Sequence, residues 1–135
     1  MKLLSLALIF SIQSLVTCPA NESEAVYKNL DAVKTKAIIA KYKKEKKNLT
    51  IIDVRTKEEY DREHLPKAKL INFFGKDFEK KLKELDKKKS YLLHCQSGGR
   101  SRGALKKMQE LGFKKVYHLD GGILAWKKSG GELTE

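Results

Sequence analysis

The chain has 135 residues, with 29 Lys and Arg against 17 Asp and Glu, a formal charge of +12. This length suits one domain, and the excess of lysine invites a nucleic-acid reading that the pattern does not sustain. No aromatic residue beyond Tyr42 and Phe78 is interleaved with the basic runs for base stacking, so Lys41 to Lys47 and Lys76 to Lys89 read as solvated helix faces, with attraction of anionic lipid or small anionic substrates as the alternative. No metal site is expected, because His64, His94 and His118 are scattered without ligand spacing.

At the amino end, Lys2 precedes fourteen nearly uncharged residues, Leu3 to Val16, and then Thr17-Cys18-Pro19-Ala20. This pattern predicts a secretory signal peptide over residues 1–20, whose fourteen-residue apolar run is too short to span a bilayer core that needs about 20 apolar residues. Leu15-Val16-Thr17-Cys18 resembles the lipobox of bacterial lipoproteins, which would make Cys18 a lipidated membrane attachment. Ordinary cleavage after Ala20 is the main alternative, and an uncleaved anchor is the third. Both cleavage routes place the mature domain, residues 21–135, in an exported compartment, the bacterial periplasm or cell envelope. Both also leave Cys95 without an intramolecular partner, and a single thiol in an oxidising compartment is a candidate reactive group.

Along the mature chain, Val26 to Leu30 is a candidate edge strand, and Asp31 to Lys44 carries Val33, Ala37, Ile38 and Tyr42 at near-helical spacing. Leu49 to Val54 is β-branched and almost continuously apolar, the pattern of a strand covered on both faces. Thr56-Lys57-Glu58-Glu59 is a capping box that opens a short helix, stopped by Pro66. A strand over Ala68 to Phe73, a helix capped by Asp77 and a strand over Tyr91 to Cys95 follow. The next helix carries Ala104, Leu105, Met108 and Leu111 and ends at Gly112. Lys115 to Leu119 is the last strand, and Gly121-Gly122 opens a final helix. Strands alternating with helices give an α/β domain with a parallel sheet and helices on both faces. Cys95 then lies at the carboxyl edge of the sheet, where such folds bind ligands.

The loop Cys95-Gln96-Ser97-Gly98-Gly99-Arg100-Ser101 is the strongest chemical signal. A thiol is nucleophilic as thiolate, and backbone N–H groups converging at a helix N-terminus stabilise that anion. Gly98 and Gly99 permit such a turn without a Cβ penalty, and Arg100 adds positive charge. An inert buried cysteine would not need this combination. His94 alternates away from the Cys95 side of the strand, which favours a structural role over tuning of the thiol.

Four motifs in order, Ile51-Ile52-Asp53-Val54-Arg55, Glu59-Tyr60 with His64-Leu65-Pro66, Cys95 to Ser101, and Asp120-Gly121-Gly122-Ile123-Leu124-Ala125-Trp126, resemble the single-domain rhodanese family over nearly all of residues 25–130. The resemblance implies a three-layer α/β fold around a mainly parallel five-stranded sheet and a sulfurtransferase without cofactor or metal. Cys95 would take a sulfane sulfur from thiosulfate, or from a polysulfide or persulfide donor, hold it as a persulfide and pass it to cyanide or a thiol. The N–H groups of Gln96, Ser97, Gly98, Gly99, Arg100 and Ser101 would bind the small sulfur-containing anion. Asp53 and Arg55 would support the loops as an ion pair, with substrate contact by Arg55 as the alternative; Trp126, His64 and His118 would be structural.

Two departures stand out. Glu63 and Lys67 occupy places where the family often has glycine, and the loop holds one cation where thiosulfate-preferring relatives often hold more. Phosphatase and arsenate reductase relatives place five residues between cysteine and arginine, whereas four stand here. A non-catalytic interaction module is the competing reading from a different class.

Overall fold

The computed structural model describes residues 24–135, so the signal segment and Cys18 lie outside the described residues. The elements are β1 (Val26–Leu30), α1 (Ala32–Lys44), β2 (Leu49–Asp53), α2 (Lys57–Arg62), β3 (Lys69–Leu70), α3 (Phe78–Lys83), β4 (Ser90–His94), α4 (Gly99–Glu110), β5 (Lys115–Leu119) and α5 (Gly122–Lys128). One five-stranded sheet runs in the order β1-β5-β4-β2-β3, and every pairing is parallel. Parallel neighbours need crossovers, which here are the helices.

The apolar runs sort by strand alternation. On β2 and β4, Ile52 and Leu93 face one core cluster with Phe78, Leu82, Ala104 and Met108 from α3 and α4. Their neighbours Ile51 and Leu92 face the other, with Tyr42 from α1 and Ile123 and Trp126 from α5. Successive side chains of a strand point to opposite faces, so a continuous apolar run in the sequence becomes two packed layers around the sheet. Trp126 is buried as expected, and its indole N–H donates to the Glu132 carbonyl at 2.8 Å.

Local signals fix most boundaries. Thr56 Oγ1 accepts from the Glu59 N–H at 3.3 Å while the Glu59 carboxylate accepts from the Thr56 N–H at 3.0 Å, the reciprocal box read from the sequence. Beyond α4, Gly112 adopts φ +83° and Phe113 N–H returns to the Met108 carbonyl at 3.1 Å, which closes the helix.

Two expectations need correction. The strand expected over Ala68 to Phe73 shrinks to Lys69–Leu70, because it lies at the sheet edge and pairs only with the end of β2. Ile71 and Phe73 still donate to the Asp53 and Val54 carbonyls, at 2.9 and 3.0 Å. Asp77 precedes α3 but makes no side-chain cap; its carboxylate pairs with Lys81 at 2.8 Å instead.

The approach that bears most on function lies between α5 and the loop after β4. Ile123 N–H donates to the Cys95 carbonyl at 2.9 Å and Leu124 N–H to the Gln96 carbonyl at 3.2 Å. Gly122, at φ +60°, makes this possible, since a Cβ there would lie 2.5 Å from both carbonyl oxygens. Gly122→Ala should therefore destabilise the protein by about 2–4 kcal/mol through left-handed strain and overpacking. Urea unfolding beside a Gly99→Ala control, which meets nothing within 4 Å, checks this; equal losses for the two would contradict it.

Candidate active site

Cys95 follows the last residue of β4 and is 1% exposed. Gly98 takes φ +114°, the left-handed turn that lets the chain fold back over the sulfur and start α4. Its N–H donates to Cys95 Sγ at 3.1 Å, and the Ser101 hydroxyl lies 3.3 Å from the same sulfur. Burial pushes the thiol up, but the Ser101 hydroxyl and the backbone N–H groups of Ser101, Gly98 and Ser97 outweigh it and hold Cys95 below its ordinary range. Gly99, expected to share the turn, is helical with open space where a Cβ would stand. Only Gly98 needs to be glycine for the turn.

Arg100 is not a free cation in the loop. Its guanidinium makes a two-pronged pair with Glu59, at 2.6 and 2.8 Å, and its carbon lies 5.9 Å from the ring centre of Phe74. Arg100 holds the Glu59 carboxyl down to about 2, with the Thr56 N–H assisting against partial burial. Glu59 thus caps α2 and ties the active loop to that helix. The sequence marked Glu59 as a capping residue and gave no sign of its partner, 41 positions away. Arg100 still feels the Cys95 charge, though less strongly than that of Glu59.

Asp53 and Arg55 are 0% and 2% exposed and form a buried ion pair at 2.7 Å. Spending its remaining donors, Arg55 reaches the Glu63 carbonyl at 2.6 Å and Gln96 Oε1 at 3.5 Å. One guanidinium therefore links β2, the segment after α2 and the active loop, the supporting arrangement expected of this pair. A cavity of about 210 Å³ opens beside it, lined by Arg55, Glu59, Arg62, Glu63 and Gln96. Its two cations are matched by two carboxylates. A larger cavity, about 420 Å³, lies beside Trp126 and Lys36, and Cys95 is not among its lining residues.

The histidines divide by contact. His94 is buried, with Nδ1 3.2 Å from the Cys95 carbonyl oxygen and Nε2 3.6 Å from Asp53, so it packs beside the buried ion pair. Burial holds it below its ordinary range. His64 stacks on Tyr60 at 3.8 Å, its Nδ1 2.9 Å from the Tyr60 carbonyl oxygen. His118, read from the sequence as structural, instead reaches the site: Nε2 lies 2.7 Å from the Ser101 hydroxyl that touches the sulfur. The contact depends on β5 lying beside β4, where His118 registers with Leu93, a pairing the sequence does not reveal. Among the described residues no group of three or more His, Cys, Asp or Glu stands together as a metal site.

A buried cysteine whose sulfur accepts from loop N–H groups thus stands at the carboxyl edge of the parallel sheet in a three-layer α/β fold. Residues 35–129 match the Rhodanese-like domain family, and the chain belongs to that family. It is similar to the thiosulfate sulfurtransferase GlpE of Coxiella burnetii, 33% identical over 82 residues that cover 61% of this chain and 75% of the relative. YtwF of Bacillus subtilis, which carries a provisional sulfurtransferase name, is 39% identical over 79 residues, 58% of this chain and 74% of the relative. Among solved structures, the rhodanese-like domain protein of Staphylococcus aureus superposes with a TM-score of 0.65 at 28% identity, covering 80% of this chain and 99% of that one. BH2092 of Bacillus halodurans does so with 0.65 at 30% identity, covering 79% and 76%.

The Glu59 pair sets a pH dependence. Its folded value of about 2 lies below the ordinary 4.5, so the stability it contributes is complete above 4.5 and is lost as pH falls toward 2. Glu59→Gln should cost about 1–2 kcal/mol at pH 7, allowing for screening of a partly exposed pair. The gap to wild type should close between pH 4.5 and 2 in denaturant titrations; a gap independent of pH would contradict the assignment.

Proposed function

We propose that this protein moves sulfane sulfur through a persulfide on Cys95. The observation that carries the reading is the set of donors on one sulfur: the Ser101 hydroxyl with the N–H groups of Ser97, Gly98 and Ser101. Donors fixed before the reaction stabilise charge without reorganising, and this ring suits both the attacking thiolate and the terminal sulfur of a persulfide. With thiosulfate, Sγ bonds to the outer sulfur as its bond to the sulfonate sulfur breaks, and the electron pair leaves with sulfite. Attack on the outer sulfur by cyanide or a thiolate then returns a pair to Sγ. No cofactor enters these steps.

Charge balance bears on the donor. Arg100 is paired with Glu59, and Arg55 with Asp53, so the site offers little net positive charge to a dianion. A low-molecular-weight organic persulfide, whose reacting group carries at most one negative charge, suits it better than the dianions thiosulfate and inorganic polysulfide. The export signal read over residues 1–20 supports the periplasm or cell envelope as the site of this chemistry, and lipidation of Cys18 would hold the domain at the membrane.

Intact mass spectrometry of the purified protein tests the reading. Polysulfide should add one sulfur to wild type and none to Cys95→Ser, and cyanide or a small thiol should remove it. No Cys95-dependent gain from polysulfide or thiosulfate would overturn the proposal. Half-loading should need several-fold less of an organic persulfide such as cysteine persulfide than of thiosulfate, and Glu59→Gln, by freeing Arg100, should narrow that difference. An unchanged ratio would remove charge balance as its cause.

A further inference from the structure

Beyond the ring of N–H donors, a file of hydrogen bonds leads from the sulfur through the sheet to its far edge strand. Cys95 Sγ is 3.3 Å from Ser101 Oγ, Ser101 Oγ is 2.7 Å from His118 Nε2, and His118 Nδ1 is 3.1 Å from Asn29 Oδ1. Ser101 and His118 are both fully buried. Parallel pairing sets the last link, since Asn29 on β1 registers with His118 on β5.

With the Asn29 carboxamide oxygen turned toward His118, the file acquires a direction. Asn29 presents a carboxamide oxygen, which accepts from His118 Nδ1–H and leaves Nε2 with its lone pair toward Ser101. Ser101 has a single proton and three acceptors within reach: the sulfur, the Gly98 carbonyl at 3.2 Å and His118 Nε2, the shortest contact. With Cys95 as a thiol, S–H donates to Oγ and O–H donates to Nε2. We propose that His118 is a positioning residue for the nucleophile, taking up the Cys95 proton through the Ser101 hydroxyl so that thiolate and imidazolium form together within the buried site.

The proton shift balances without any outside partner. The S–H bond breaks as a new Ser101 O–H bond forms; the original O–H bond breaks as Nε2–H forms. No net charge enters or leaves. Afterward His118 Nε2–H donates to Oγ and the Ser101 hydroxyl donates to Sγ, adding to the ring of N–H groups. Asn29 accepts from Nδ1–H in both states, so no heavy atom has to move.

The charged side chains acting on His118 are Asp120, which follows β5, and Arg102 on α4, themselves 3.3 Å apart. Burial is the largest influence and holds the imidazole below its ordinary range; Asp120 opposes it and Arg102 adds to it. An isolated imidazolium is therefore disfavoured at this position. The Cys95 thiolate, two hydrogen bonds away, is the anion that offsets this cost, so the two groups titrate as one unit.

The inference rests on Cys95 as the nucleophile and needs no sulfur donor, so its test stays separate from that of persulfide transfer. The rate of Cys95 alkylation by iodoacetamide would be followed against pH in wild type and His118→Gln, with thermal unfolding as the control for folding. The expected result is a rise of about one unit in the midpoint, and an alkylation rate about tenfold lower near neutral pH. A folded His118→Gln with the wild-type profile would overturn the proposal. Ring ¹⁵N shifts of His118 in wild type and Cys95→Ser give a second reading that does not depend on the histidine variant. The imidazolium should form in wild type over the range where Cys95 is thiolate and be absent from Cys95→Ser at the same pH; identical titrations in the two proteins would overturn it.

Discussion

Two hydrogen bonds, from the N–H groups of Ile123 and Leu124 to the carbonyls of Cys95 and Gln96, set the direction in which the active loop faces. With these carbonyls taken up by the first turn of α5, the N–H groups that follow are left to converge on the sulfur. Gly122 allows the approach because any Cβ would strike both carbonyl oxygens. The left-handed turn at Gly98 then redirects the chain into α4, so two helix N-termini meet the same short segment. Each supplies N–H groups that no intrahelical partner can use, one set satisfying the loop and the other stabilising the nucleophile.

Around this core the loop is held by matched charges. Arg55 spans β2, the end of α2 and Gln96, while Arg100 is clamped by Glu59. A buried guanidinium without a carboxylate would be strongly destabilising, so each cation comes with its anion, and the pairing limits how much positive charge remains for a substrate. The same pairs that hold the loop therefore also neutralise its cations. The thiolate must be stabilised by dipoles, and the N–H groups with the Ser101 hydroxyl supply them at 3.1 and 3.3 Å.

Features carried by short stretches of sequence were legible in the residues alone. The capping box at Thr56, the apolar strands read over Leu49 to Val54 and Tyr91 to Cys95, the loop from Cys95 to Ser101 and the buried Trp126 all depend on neighbours within a few residues or on strand periodicity. Less was legible where local and distant demands competed. Asp77 has the identity of an N-cap, yet Lys81 one turn later takes its carboxylate. The third strand ends early because an edge strand pairs only where its single neighbour continues. Gly99 looked equivalent to Gly98, but only one of them carries the positive φ.

The sequence by itself determined the α/β class, the parallel sheet, the position of Cys95 at its carboxyl edge and the kinship with rhodanese-like domains, because periodicity, caps and glycine placement act over a few residues. Tertiary structure alone decided which charges meet and which side chains stand beside the thiol. Arg100 finds Glu59 across 41 positions, and Ser101 finds His118 across 17 and, through it, Asn29. Those partners come together only through the strand order β1-β5-β4-β2-β3, which places β5 between β1 and β4. Sequence spacing carries no trace of that order, because neighbours in a parallel sheet are joined by crossovers whose length does not say which strand they will lie beside.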